Sequence, residues 1–402
     1  MIVQKYKEML SAKSVIRQLS EWATERGKEI GEGQVFDYSL GNPSVAVPRA
    51  FTDRMVQLLE TAESTKLHGY SPSLGIGSVR EAVAESLRGR FGLPFTQEHV
   101  FMASGAAGAI AHALRLVASA GEEVLCIAPF FPEYRPYVEA TGAVLKVVPP
   151  DYQAFQIHFD ALEQQLTDKT AAVLVNSPNN PTGAVYSAET LEKLAEILRR
   201  KSKEYGQEIF LISDEPYREI VFDGKENPCV CAFYENSILC YSFSKSLSVP
   251  GGRIGYLAVH PARPDAATLV NMCGQISRGI GHNCPASLMQ LAVAQSLQET
   301  ADLKVYERNR NLLYQAFTEL DFSCVKPGGT FYLFPKALEE DAAAFCQKAL
   351  RYDLVFVPGD SFGAPGYFRA AYCVETEKVE RSLPVLRRFV ETEYPNRKKT
   401  KE

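Results

Sequence analysis

The sequence predicts an α/β fold: a large domain on a mostly parallel sheet flanked by helices, joined to a smaller α+β domain. Three observations carry this expectation. Short apolar runs alternate with longer amphipathic stretches from Val100 to about Val259, the pattern changes near Pro285, and 402 residues suffice for two domains with a sizeable core. In chain order, Val100 to Ala103 and Val124 to Ala128 read as strands, and between them Ala109, Ile110, Ala113, Leu114 and Val117 fall at helical spacing. Val144 to Val148, Ala171 to Val175, Ile209 to Ser213 and Ser237 to Tyr241 are further strands, and Leu191 to Tyr205 is an amphipathic helix with its charges outward. Continuous apolar strands separated by helices imply a sheet covered on both faces. From Pro285 a long helical stretch to Leu320 leads into strands near Phe331 to Phe334 and Phe368 to Cys373. The expected large domain is therefore 48–284, and 1–47 with 285–402 form the small one. The first 47 residues read as mostly helical, without a core of their own, and are expected to pack on the small domain.

Bulk chemistry excludes several classes of function. A formal charge of −5 gives no basic field for nucleic acid or an anionic membrane. The tail Arg397-Lys398-Lys399 is short and reads as a solvated terminus. No apolar run reaches the roughly 18–20 residues of a membrane-spanning helix. Met1 to Leu10 is charged every few residues, unlike a signal peptide. Nine scattered cysteines, without a CxxC, fit reduced thiols in a cytoplasmic protein. Cys229 and Cys231 are the one close pair, but no second pair or His cluster completes a metal site.

Four segments carry chemistry. Tyr241-Ser-Phe-Ser-Lys245 follows a strand and runs into Gly251-Gly-Arg253. An imine-forming amine needs a lowered pKa, which partial burial near other cations provides. Ser242 and Arg253 can both face a phosphate, although a lysine among serines and glycines also fits a surface turn. Asp214, in Ser213-Asp214-Glu215-Pro216-Tyr217, ends a strand where α/β folds place ligands. A carboxylate there can keep a cofactor's pyridinium nitrogen protonated, or it can simply cap a helix. Tyr217 and Asn180, the latter in Asn176-Ser-Pro-Asn-Asn180-Pro-Thr-Gly183, can donate to a phenolic oxygen, and the second segment can equally be a plain turn. Ala103-Ser-Gly105-Ala106-Ala107-Gly108 joins strand to helix with small residues, which admit a phosphate to backbone N–H groups or ease helix–sheet packing.

In this order the segments resemble fold-type-I pyridoxal-phosphate aminotransferases of class I/II, the aspartate and aromatic aminotransferase-like family, over essentially the whole chain. Leu40-Gly41-Asn42-Pro43 is similar to that family's substrate loop, and Tyr70, in His68-Gly-Tyr70-Ser-Pro, to the residue that reaches the neighbouring subunit's phosphate in a homodimer. Ala128-Pro-Phe-Phe131-Pro-Glu-Tyr134 resembles the segment whose aromatic ring stacks on the cofactor, pointing to Phe131. Phe368-Arg369-Ala-Ala resembles the strand whose arginine grips the substrate α-carboxylate. Two departures stand out. Ala106 and Ala107 replace side chains that help bind phosphate, so backbone groups, Ser242, Arg253 and Tyr70 must do more, and Phe131 lacks the polar tip of the more frequent Trp or Tyr.

The resemblance implies pyridoxal 5′-phosphate held as an internal aldimine on Lys245. Lys245, once freed by an incoming amino acid, is the general base. Asp214 sustains the electron sink, while Gly41, Asn180 and Arg369 hold the substrate. The implied reaction moves an amino group between an L-amino acid and a 2-oxo acid. A carbon–sulfur β-lyase or amino-acid decarboxylase on the same scaffold is the alternative. A non-enzymatic cofactor-sensing regulator is more distant, since such proteins carry a separate DNA-binding domain. Arg278, in Ile276-Ser-Arg-Gly-Ile-Gly-His282, lies near where dicarboxylate-specific relatives place an arginine, but both it and His282 can be plain loop residues.

Overall fold

The computed structural model describes residues 4–11 and 14–395, so the basic tail at 397–399 lies outside the described residues. Helices 4–11 and Val15–Ile30 lead to a short strand β1 (Phe36–Asp37). The main sheet comprises β2 (Val100–Ala103), β3 (Glu123–Ile127), β4 (Val144–Val148), β5 (Thr170–Asn176), β6 (Phe210–Asp214), β7 (Ser237–Ser242) and β8 (Gly255–Val259). Their spatial order is β2-β8-β7-β6-β5-β3-β4. The pairs β4–β3–β5–β6–β7 run parallel, and β8 runs antiparallel to both of its neighbours. Every residue of β5 and β7 is buried, as expected where helices cover both faces. β8 escaped the sequence reading because a Gly-Gly-Arg turn precedes five buried residues with no polar alternation.

Register does most of the positioning. Asn176 and Asp214 are partners at the carboxyl ends of β5 and β6. Ser242 faces Gly255, which on its other side faces Ala103 at the end of β2. A side chain on Gly255 would collide with the Tyr241 carbonyl and with the Gly105 backbone, 3.0 Å away, so only glycine lets β8 slide between them. The helix Gly105–Val117 starts immediately beyond β2 and buries Ala109, Ile110, Ala113 and Leu114 against the sheet.

A three-stranded antiparallel sheet orders β11 (Val357–Pro358), β12 (Phe368–Ala371) and β9 (Tyr332–Leu333), while β10 (Leu354–Val355) pairs parallel with β1. Helices Lys304–Glu319, Ala342–Leu350 and Thr376–Glu393 cover it around Phe317, Phe345, Phe368 and Phe389. The N-terminal helix inserts Leu19 and Ala23 beside Phe334, Val355 and Phe362.

One expected element is corrected. The stretch Pro285 to Leu320 is not one helical run but two helices, Ser287–Ala294 and Lys304–Glu319. The intervening segment is pulled out of helical geometry by longer-range partners. The Ala301 N–H donates to the Ser246 carbonyl at 2.7 Å, and Arg54 binds Ser296 Oγ at 2.9 Å and pairs with Glu299. The first of these helices packs against the helices Arg49–Thr61 and Gly77–Phe91. Among the described residues, no helix is long and apolar enough to cross a membrane.

Candidate active site

A cavity of about 320 Å³ opens at the carboxyl ends of β5, β6 and β7, the place where open α/β sheets bind ligands. Gly41, Ala106, Ala107, Phe131, Asn180, Asp214, Tyr217, Ser242, Lys245, Arg253 and Arg369 all line it. Each of these is a residue that the sequence singles out; Gly105, singled out with them, does not line the cavity but lies beside Arg253.

Lys245 lies on the short helix Phe243–Ser246, whose first turn is capped by Ser242 Oγ accepting from the Ser244 N–H at 3.2 Å. Its Nζ donates to the Gly41 carbonyl at 2.6 Å. Burial pushes its pKa down to about 8, and the Arg253 and Arg369 charges add to that. Such an amine is a far better nucleophile at neutral pH than an exposed lysine.

Asp214 is buried. Tyr134 Oη donates to its Oδ2 at 2.6 Å, while Oδ1 has no partner among the described residues. Burial raises its pKa to about 7, and the Tyr134 hydrogen bond works against that rise. Asn176 Nδ2 fixes the strand end by donating to the Asp214 carbonyl at 2.8 Å, and Asn176 Oδ1 accepts from the Asn180 N–H at 2.7 Å.

Arg369 is 2% exposed. Nη1 donates to Asn180 Oδ1 at 3.0 Å and Nη2 to the Ser39 carbonyl at 2.5 Å, which leaves Nε without a partner among the described residues. Its guanidinium sits between the rings of Tyr332, at 4.6 Å, and Phe362, at 4.9 Å. Tyr332 also meets the Tyr217 hydroxyl at 3.0 Å. Arg253 has a left-handed backbone, φ 47°, held where its guanidinium donates to the carbonyls of Pro250 at 2.9 Å and Ser104 at 3.1 Å. A Cβ on Gly105, φ +75°, would lie 2.7 Å from that guanidinium. The half-buried Phe131 meets Tyr134 edge-on, with ring centroids 5.7 Å apart.

Tyr70, Arg278 and His282 are not in this cavity. Tyr70 is 99% exposed and lines a separate hollow with Arg278, which sits on the exposed last turn of the helix Ala266–Ile280. His282 packs its ring 5.5 Å from that of His112. Conversely, Tyr134, Tyr332, Asn176, Ser244, Tyr137, Glu133 and Arg17 belong to the site without having been assigned a part in it. Among the described residues, no group of three or more His, Cys, Asp or Glu side chains is placed to hold a metal.

The family model for aminotransferase class I and II matches residues 34–386. The chain belongs to that family. This aminotransferase is 30% identical to aromatic-amino-acid aminotransferase 2 of Thermococcus litoralis, over 87% of this chain and 90% of that one. It is 29% identical to a probable aspartate aminotransferase of Methanocaldococcus jannaschii, over 94% and 97%. A solved aminotransferase from Eubacterium rectale shares 42% identity at a TM-score of 0.95, covering 98% of this chain and 99% of its own. Aspartate aminotransferase of Thermus thermophilus, solved with maleate, shares 26% identity at a TM-score of 0.83, covering 94% and 97%. The aminotransferase uses pyridoxal 5′-phosphate. The cavity fits that cofactor chemically: the unpartnered Asp214 Oδ1 is a buried acceptor awaiting a donor. The side-chain-free surface of Gly105 beside Arg253 leaves room for an anion at a helix start.

Proposed function

We propose that Lys245, Asp214 and Arg369 divide the amino-transfer reaction among covalent attachment, electron withdrawal and substrate grip. The observation that carries the reading is one cavity holding a buried amine of lowered pKa, a buried carboxylate with one free oxygen, and a buried guanidinium with one free N–H. When bound, pyridoxal phosphate supplies an electron-poor ring that acidifies the substrate Cα–H. Asp214 Oδ1 would accept from the protonated ring nitrogen, and Tyr134 holds the other oxygen so that the carboxylate cannot rotate away. Tyr217 and Asn180, which line the cavity, would donate to the phenolic oxygen. Ser242, Arg253 and the N–H groups of Ala106 and Ala107, which line the cavity, would hold the phosphate, with Gly105 beside Arg253 leaving the space for it, and Phe131 would cover the ring. Arg369 would offer its Nε–H to the α-carboxylate, with Gly41 lining the same cavity beside the substrate. Lys245 Nζ then takes the proton from the substrate Cα.

Tyr70 completes the phosphate site of a second copy, so the active unit is a homodimer with two shared sites. Its near-complete exposure in one chain supports this. Nine free thiols support a reducing, cytoplasmic setting. The test is oxo-acid formation from an amino-acid panel with and without an added 2-oxo acid, in wild type and Lys245→Ala. Acceptor-dependent transfer that vanishes in the variant supports the proposal, and wild-type-like rates in the variant overturn it. A monomer of full activity in sedimentation would refute the shared site.

A further inference from the structure

Tyr332 joins the guanidinium of Arg369 to the groups beside the cofactor ring, yet the reaction as proposed gives it no part. In β9 it pairs with Ala371, two residues beyond Arg369, so its side chain shares a face of the small sheet with that guanidinium and lies 4.6 Å from it. Its hydroxyl reaches across to the segment after β6 and meets that of Tyr217 at 3.0 Å, its one hydrogen-bond partner among the described residues. Both side chains are buried, and their rings meet edge-on with centroids 5.8 Å apart. A side chain on Gly41 would collide with the Tyr332 hydroxyl, so the loop leaves that space to it. Packing and stacking need only the ring. A buried hydroxyl is costly without a partner, so its presence calls for a reason of its own.

Each of the two hydroxyls carries one proton and can also accept. Were Tyr217 to donate to Tyr332, it would turn a lone pair toward the anionic phenolic oxygen and leave that oxygen one donor short. The surrounding charges favour the opposite direction. Burial pushes the Tyr332 hydroxyl up to about 12, while the Arg369 charge against its ring draws it down and Cys373 raises it. Burial pushes Tyr217 well up too, and there the Asp214 charge adds to the rise while Arg369 opposes it. The guanidinium stacked on its ring makes Tyr332 the better donor of the two.

We propose that Tyr332 is a positioning residue that donates its only hydroxyl proton to Tyr217, so that Tyr217 keeps its own proton for the phenolic oxygen of the cofactor. This rests on the reading in which Tyr217 donates to that oxygen. A hydroxyl that accepts one hydrogen bond donates a stronger one, so Tyr332 acts on the cofactor through Tyr217 without touching it.

The pyridoxal phosphate-loaded protein is titrated with alkali and its visible absorbance followed. Donors to the phenolic oxygen favour its negative charge, and so lower the pH at which the bound cofactor gives up its proton. Tyr217→Phe therefore raises that midpoint, and Tyr332→Phe raises it by a smaller amount, about 0.3–0.7 unit. In the Tyr217→Phe background Tyr332→Phe adds no further shift, because it acts through that hydroxyl. Tyr332→fluorotyrosine, which keeps the packing and makes the hydroxyl more acidic, moves the midpoint the other way. The ring stays on Arg369 in Tyr332→Phe, so KM for an amino acid moves by no more than about twofold while kcat falls roughly twofold to tenfold, the range for one neutral hydrogen bond. An unmoved midpoint in Tyr332→Phe beside a raised one in Tyr217→Phe overturns the proposal, and so does an equal shift from Tyr332→Phe in both backgrounds. Failure of the underlying reading looks different: Tyr217→Phe itself leaves the midpoint where it stands in wild type.

Discussion

Replacing Asp214 by Asn separates what the carboxylate does for the reaction from what it costs the fold. In the cofactor-free protein the Asp214 carboxyl titrates near 7 instead of 3.8, because burial disfavours its charge more than the Tyr134 hydrogen bond favours it. A raised folded-state pKa means that the native state holds the proton longer than the unfolded chain. Stability is therefore fully present below about pH 4 and is lost as pH rises toward about 7, at about 1.4 kcal/mol per pH unit. Across the whole window this amounts to about 4 kcal/mol. Asn keeps the shape and can still accept from Tyr134, but it does not titrate. Between pH 5 and pH 7 the stability of cofactor-free Asp214→Asn therefore rises relative to wild type by roughly 2–3 kcal/mol. Urea denaturation of both proteins at several pH values measures this. The same substitution lowers kcat/KM for transamination by on the order of 10²–10³, the scale for losing one preorganised electrostatic contact. A stability difference that stays flat between pH 5 and pH 7, or a variant that retains full activity, would refute the reasoning.

Other perturbations give equally definite outcomes. In cofactor-free protein, acylation of Lys245 followed by mass spectrometry should show a midpoint near pH 8, and a midpoint above pH 10 would contradict its burial. Arg369→Lys loses the Nε–H offered to the carboxylate and the stacking on Tyr332 and Phe362, so kcat/KM for amino acids should fall roughly tenfold to a hundredfold. Gly105→Ala forces a side chain into a left-handed backbone and against Arg253. Pyridoxal phosphate affinity, read by fluorescence, should drop about tenfold, at about 1–2 kcal/mol of strain and crowding. Tyr134→Phe removes a hydrogen bond to a buried carboxylate, which at about 1.5–3 kcal/mol should lower kcat/KM by one to two orders of magnitude.

Much of the site was legible because its residues stand at punctuation marks. Asp214, Asn180 and Lys245 each follow a buried apolar strand at the point where glycine, proline or polar residues end it, and strand ends of one parallel sheet converge. Tyr134 was not legible as a partner of Asp214, because that contact joins residues 80 apart and depends on the depth to which the helix Tyr134–Glu139 settles beside the sheet. The Tyr217–Tyr332 contact spans 115 residues and two sheets. Arg17 and Arg278 show the limit most clearly. The local sequence does not single out Arg17 and leaves Arg278 on a loop, whereas the structure lines the cavity with Arg17 and puts Arg278 on the last turn of a helix beside another hollow. The break at 295–303 was hidden for the same reason: its hydrogen-bond partners, Ser246 and Arg54, are remote in sequence.

The most direct test of the central claim is borohydride reduction of the pyridoxal phosphate-loaded protein followed by peptide mapping. A single pyridoxyl group on Lys245, lost when an amino acid is added before the reductant, is the expected result. A pyridoxyl group on any other lysine, or labelling that an amino-acid substrate leaves untouched, would contradict it.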